Sequence, residues 1–246
     1  MRLTANELAR EAAATGFQAE PLEKVIILLE LLEAIRSHPF LKDRVALKGG
    51  TALNLFKFDV PRLSVDIHLN YIGAVDREGM LADRPKIEQA LHAVCGRVGL
   101  QPRRVPTDHA GGKWRLSFNR IAGRTGTLEI DVNFMLRAPL WPVKRADSRP
   151  VGTFLAKDIP VVDVHELAAG KLAALLSRTA SRDLFDASQL RHVGGLDSAK
   201  LRLAFVVYGV ITETSIARLF AAGVVPGLIM GLALVLPVYW ISKRHG

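Results

Sequence analysis

The residues able to do chemistry are a glycine pair, two sets of acids at strand spacing and a few separated cations. Gly49-Gly50 follow Lys48 and open an apolar run. Two such glycines let backbone N–H groups come close to an anion, and a helix starting there adds partial positive charge. Taken alone, the pair reads first as a tight turn, and only the next segment favours a phosphate cradle. Further on, Ser64, Asp66 and His68 alternate with Val65, Ile67 and Leu69. In a strand these three polar groups leave one face, with alternate Cα atoms about 6.5–7 Å apart. Glu129, Asp131 and Asn133 alternate in the same way with Leu128, Ile130 and Val132. Carboxylates on two strands can supply the oxygen ligands that a divalent cation needs in phosphoryl or nucleotidyl transfer. Lys48, Lys171 and Arg182 are the candidate partners for phosphate charge. A solvated strand face is the other account of the acids, and Asp183 and Asp186 are also ordinary first-turn acids of a helix.

These groups need elements to hold them. A leucine-rich helix over 22–36 places Val25, Leu28, Leu29, Leu32 and Ile35 on a core-facing stripe. Helix is expected over 51–58 and 85–97. Strands are expected over 63–69, 100–105, 113–118 and 127–134, with a hairpin turn at 124–126. The strands of Asp66 and Asp131 are expected to sit in an antiparallel sheet. Residues 137–160, rich in proline and basic side chains, read as a connector with a short strand near 152–155. Asp163-Val164-His165-Glu166 resembles a capping box and starts a helix running to 178. Ser181 can cap a further helix, and another covers 196–207.

The 246 residues carry 33 Lys and Arg against 24 Asp and Glu, a formal charge of +9, of which +7 belongs to residues 1–209. That surplus favours polyanionic partners: nucleotides, nucleic acid or an acidic membrane surface. A single cysteine, Cys95, rules out an internal disulfide and any multi-cysteine metal centre. It is expected to be a buried small hydrophobe. Glu7 and Glu11 stand where a signal peptide would be basic and then apolar, so a cytoplasmic chain is expected.

Five separated motifs then carry a resemblance. Leu47-Lys48-Gly49-Gly50-Thr51-Ala52-Leu53, Ser64-Val65-Asp66, Glu129-Ile130-Asp131, Lys171 to Arg178, and Arg182-Asp183-Leu184-Phe185-Asp186 occur in the order found in AbiEii/AbiGii-type nucleotidyltransferase toxins of type IV abortive-infection systems. The likeness covers about residues 20–209. It implies an α/β (α+β) fold of the DNA polymerase beta-like nucleotidyltransferase kind, with a catalytic part over 1–160 and a helical C-terminal part over 161–209. It also implies an NTP substrate, Mg²⁺ or another divalent metal, an RNA (tRNA) or protein acceptor, and a cognate antitoxin. Carried over by position, Lys48, Gly49, Gly50, Ser64, Lys171 and Arg182 would hold the nucleotide. Asp66, His68 and Asp131 would hold metal, with Asp131 also able to act as base. Asp183 would position Lys171 or the nucleotide. The chain departs from the family at His68, where a second carboxylate is usual. A neutral imidazole removes one negative charge and suits softer ions than Mg²⁺; equally, His68 is an inert strand residue.

From Tyr208 onward a second resemblance begins. Tyr208-Gly209-Val210-Ile211-Thr212-Glu213-Thr214-Ser215 and Ala222-Gly223-Val224-Val225-Pro226-Gly227-Leu228 resemble the large permease subunit of TRAP-type dicarboxylate transporters. Residues 219–242 form a stretch of 24 without charge, closed by Lys243-Arg244, which is long enough to span a bilayer. One span builds no transport site. The expectation is a toxin-like unit with its C-terminus replaced by an appended hydrophobic helix over 210–246, in possible contact with a membrane. The alternative to an active enzyme is a catalytically impaired fusion remnant that binds nucleotide or RNA and is membrane-anchored or unstable.

Overall fold

The computed structural model describes residues 3–106, 111–178 and 180–211. Its helices are α1 (Ala5–Thr15), α2 (Ala19–Ser37), α3 (Gly49–Phe56), α4 (Arg77–Arg97), α5 (Val164–Arg178), α6 (Ser181–Gln189) and α7 (Ser198–Ile211). Its strands are β1 (Val45–Lys48), β2 (Asp66–Tyr71), β3 (Gln101–Val105), β4 (Gly112–Asn119), β5 (Thr125–Asn133), β6 (Lys144–Ala146) and β7 (Ile159–Val161).

The strands form one seven-stranded sheet in the order β3-β4-β5-β2-β1-β7-β6. Antiparallel pairing was the expectation for the strands of Asp66 and Asp131, but β2 and β5 run parallel, with Asp66 opposite Glu129 and His68 opposite Asp131. The reason is connectivity: α4 and the β3–β4 pair lie between them in sequence, and this long crossover returns the chain in the same direction. β1–β2, β3–β4, β4–β5 and β6–β7 are antiparallel, and β1–β7 is parallel.

Alternation in β4 and β5 sorts the two faces. Trp114, Leu116, Leu128, Ile130 and Val132 are buried, while Arg115 and Thr127 are exposed. The apolar face packs with α2 and α4. Helix α2 buries Leu22, Val25, Ile26, Leu28, Leu29, Leu31, Leu32 and Ile35, more than a single stripe. Each such side chain contributes about 2 kcal/mol of burial, which makes α2 the central pillar of the core. α3, which contacts β2, β1, α5 and α6, joins the sheet to the C-terminal helices.

Several boundaries move from their expected places for identifiable reasons. α4 begins at Arg77 rather than 85, because the Asp76 carboxylate accepts from the Gly79 N–H at 2.7 Å and starts the helix there. Pro85 is accommodated inside it. The β4–β5 turn closes between Arg120 and Arg124 with Gly123 at φ 79°, so Thr125 and Gly126 already belong to β5. β2 starts at Asp66, leaving residues 63–65 outside the strand. Residues 152–155 form only an isolated Val151–Phe154 bridge, whereas β6 and β7 arise in the stretch read as a connector. Three-residue strands carry no usable periodicity; β7 exists because Val161 pairs with Leu47 of β1.

α7 packs on α5. Tyr208 is buried there, with its ring against Gly170 and its hydroxyl 3.3 Å from Glu166 Oε2. Glu166 also accepts from the Leu140 and Trp141 N–H groups. His165 bonds Asp163 through Nδ1 and accepts from the Asp197 N–H through Nε2, which anchors the start of α5 to the loop before α7. Among the described residues no helix is long and apolar enough to cross a membrane. The expected span at 219–242 lies outside the described residues.

Candidate active site

A cleft of about 310 Å³ opens where the polar ends of β2, β5 and β4 meet α3, α5 and α6. Gly50, Arg62, Ser64, Asp66, His68, Lys113, Glu129, Asp131, Lys171 and Arg182 line it. Of the residues singled out in the sequence, the fold brings Gly50, Ser64, Asp66, His68, Asp131, Lys171 and Arg182 to this one place. Lys48, Gly49 and Asp183 stand behind its walls.

The glycine turn is shaped by its neighbours. Gly49 has φ 77°, a left-handed conformation that favours glycine, and a Cβ there would lie 3.1 Å from the His68 ring. A Cβ on Gly50 would come within 3.2 Å of Ser64 Oγ and 3.4 Å of Arg62 Nη2. No side chain caps α3, whose first N–H groups lack helical acceptors. Thr51 ties this helix to the next segment: its hydroxyl bonds the Asp66 carbonyl and lies 3.0 Å from the Ser64 hydroxyl. Lys48 ends β1 opposite His68. Burial lowers its amine to about 8, with the nearby Asp131 charge opposing that shift.

The strand register sets the acids. His68 and Asp131 are direct neighbours, and Lys113 faces Asp131 from β4. Asp66 is opposite Glu129. Glu129 is engaged by Lys113 at 2.7 Å and Arg115 at 3.2 Å. The Lys113 hydrogen bond holds the Glu129 carboxyl below its ordinary range, against a burial effect and with help from Arg115. Among the described residues no group of three or more His, Cys, Asp or Glu side chains is arranged to hold an ion unaided. Asp66 and Asp131 are nevertheless hard oxygen donors on adjacent strands. That donor set suits Mg²⁺, which is commonly held by one or two carboxylates together with substrate phosphates.

The opposite wall is a buried charge cluster. Lys171 Nζ lies 2.9 Å from Asp183 Oδ1 and 2.8 Å from Asp186 Oδ2, and both aspartates are fully buried. Arg62 forms a two-pronged pair with Asp186 at 2.6 and 2.8 Å, and Asn54 Nδ2 donates to the same carboxylate. Burial raises the Asp186 carboxyl, but bonds from Arg62, Lys171 and Asn54 outweigh it and hold the group below its usual value. Two cations and two anions balance here, so the Lys171 charge is largely taken up by its partners. Arg182, at the exposed start of α6, keeps its guanidinium at the cleft. Arg62 and the role of Asp186 were not foreseen from sequence. A signal existed in the spacing of Asp183 and Asp186, which places both carboxylates on one helix face.

Fold and cleft together define a nucleotidyltransferase-type α/β unit. The family model for the nucleotidyl transferase AbiEii toxin of type IV toxin–antitoxin systems matches residues 30–221, and the chain belongs to that family. Among solved structures, the nucleotidyltransferase toxin MenT4 of Mycobacterium tuberculosis H37Rv superposes with a TM-score of 0.56 at 22% identity, over 83% of this chain and 70% of that one. That likeness shows the fold. A second family model, the DctM component of tripartite ATP-independent periplasmic transporters, matches residues 202–246 and overlaps the first over 202–221. The isethionate TRAP transporter permease DctMQ of Oleidesulfovibrio alaskensis is 57% identical over 42 residues, 17% of this chain and 7% of that protein. The C4-dicarboxylate TRAP transporter large permease DctM of Pseudomonas aeruginosa is 49% identical over 41 residues, 10% of its length. The chain thus spans a tenth or less of these two permeases.

Proposed function

We propose that this toxin-family chain transfers a nucleotide from an NTP to a hydroxyl of an RNA acceptor, with tRNA the leading candidate. The observation that carries the reading is the convergence of Gly50, Ser64, Asp66, Asp131 and Arg182 from separate elements on one cleft. The Gly49-Gly50 turn and the α3 N-terminus receive the phosphates, with the Ser64 hydroxyl and Arg182 beside them. Asp66 and Asp131 would hold the divalent ion, and His68 stands between Lys48 and Asp131 in the sheet. The ion, when bound with the NTP, neutralises charge on the reacting phosphate. The acceptor oxygen attacks the α-phosphorus, the bond to the bridging oxygen of the β-phosphate breaks, and pyrophosphate leaves. Asp131 takes the proton of the attacking hydroxyl. Lys171, Asp183, Asp186 and Arg62 form the wall that holds the 62–66 segment against α3. Family membership implies a cognate antitoxin as the regulating partner.

Incubation of the full chain with labelled NTPs, Mg²⁺ or Mn²⁺ and total tRNA tests this. Labelled RNA is expected, falling at least about 100-fold in Asp66→Ala. Label on protein and none on RNA moves the acceptor to the protein class. The position of His68 supports a second reading, an impaired remnant that binds nucleotide without transferring it. Saturable NTP binding with no labelled product under any metal selects that reading.

A further inference from the structure

The open face of β3, β4 and β5 carries more positive charge than the cleft acids use. In the ladder, Arg103 is opposite Arg115, Arg115 is opposite Glu129, and Glu129 is opposite Asp66. Lys113 and Asp131 form the adjacent row. Cross-strand partners leave the same side of a sheet, so this row runs from the acids of the cleft to the sheet edge. Strand spacing puts β3 about 10 Å from β5. Arg103 and Arg115 are exposed. Glu129 already serves both Lys113 and Arg115, and among the described residues Arg103 makes no ion pair. Two arginines directly opposite one another are unfavourable unless an anion lies between them.

Charge on an edge strand also guards against edge-to-edge pairing, and Arg103 and Arg104 satisfy that need. Edge protection does not account for Arg115 and Lys113, which lie one strand inward, nor for the continuation of the row into the cleft at Lys113. The exposed neighbours on this face, Gln101 and Thr127, are small or uncharged hydrogen-bonding groups. With Val105 its partly buried apolar member, a mostly polar face with spaced cations suits a phosphate backbone better than an acidic peptide, whose apolar side chains need pockets.

We propose that the Arg103–Arg115 row, with Lys113 in the row beside it, seats the phosphate backbone of the RNA acceptor and leads its reactive end to Asp131. This rests on the nucleotide-transfer reading above. The test uses the full chain with a fluorescein-labelled single-stranded RNA, and DNA of the same sequence, followed by anisotropy across a salt series. In Arg103→Ala/Arg115→Ala, RNA affinity is expected to fall about 10-fold near 0.1 M salt, and the slope of log K against log salt to flatten by about 1.4, about 0.7 for each lost phosphate contact. The charge-keeping Arg103→Lys/Arg115→Lys variant retains most of the affinity, and NTP binding by the alanine variant matches wild type, which reports an intact fold. Unchanged RNA affinity and slope in the alanine variant overturn the proposal. Phosphate contacts do not distinguish the two sugars, so DNA of the same sequence is expected to lose affinity alongside RNA in the alanine variant; DNA binding untouched by the substitutions, or polyglutamate competing as effectively as unlabelled RNA, also overturns it. If wild type binds RNA through these arginines yet transfers nothing, the docking surface stands and the transfer reading fails; if it transfers nucleotide while the alanine variant binds RNA normally, the reverse holds.

Discussion

His68 is the position at which the chain departs from the carboxylate usual in the family, and its substitution tests the proposed chemistry. It is opposite Asp131, and a Cβ at Gly49 would lie 3.1 Å from its ring. An imidazole at this point is a softer and uncharged donor where an Mg²⁺ site gains from a carboxylate. His68→Asp adds an anion beside Asp131 and is smaller than the ring it replaces, so Gly49 is not crowded. Mg²⁺-dependent transfer is expected to rise by about 10-fold or more, while wild type gains more from Mn²⁺ or Zn²⁺ than the variant does. Equal rates with equal metal preference would show that position 68 does not limit the site. The candidate residues on β2 and β5 were legible in sequence because strand periodicity alone assigns a face. The pairing of Glu129 with Lys113 and Arg115 was not, because it depends on cross-strand register.

At the scale of elements, the buried cluster ties α5 and α6 to α3 and the segment before β2. Asp186 binds Arg62, Lys171 and Asn54 at once. Removing its charge leaves buried Lys171 and partly buried Arg62 facing one aspartate, so Asp186→Asn is expected to cost about 3 kcal/mol at neutral pH, measured as a urea midpoint. The pH dependence follows from the lowered carboxyl. A group whose folded pKa lies below its ordinary 3.8 contributes stability above that pH and loses it as pH falls through the folded value. Wild type should therefore lose stability steeply below about pH 4, and Asp186→Asn should lack that component. Parallel acid profiles for the two proteins would mean that Asp186 is not a stabilising anion. Sequence placed α5 and the start of α6 to within a residue or so, because the Asp163 cap and helical periodicity are local signals; the expected Ser181 cap is absent, since Ser181 is already helical after Ala180 and no side chain caps α6. It missed β7, which pairs with the distant β1, and β6, which pairs with β7 in turn.

For the whole molecule, the main question is how the toxin unit relates to its permease-like end. The second family match begins at residue 202, yet α7 runs through that point and docks on α5 with Ala204 and Tyr208 buried. The junction therefore lies inside a helix that completes the toxin core. Every residue lining the cleft falls between Gly50 and Arg182. A chain ended after Ile211 is expected to keep NTP binding and transfer at wild-type levels, checked with the labelled-NTP assay and a melting curve. Loss of activity with an unchanged melting curve would assign part of the site to the later residues. By itself the sequence determined the five motifs, the alternation that puts Asp66, His68 and Asp131 on polar faces, the helices around the sheet and the composite C-terminus. Those properties depend on neighbours within a few positions, or on order along the chain. Only the tertiary structure decided that β2 and β5 run parallel, that Lys171 is neutralised by two aspartates, and that Arg103 and Arg115 continue the cleft as a basic row. These depend on strand order and register, which bring together groups whose separation along the chain carries no record of the contact.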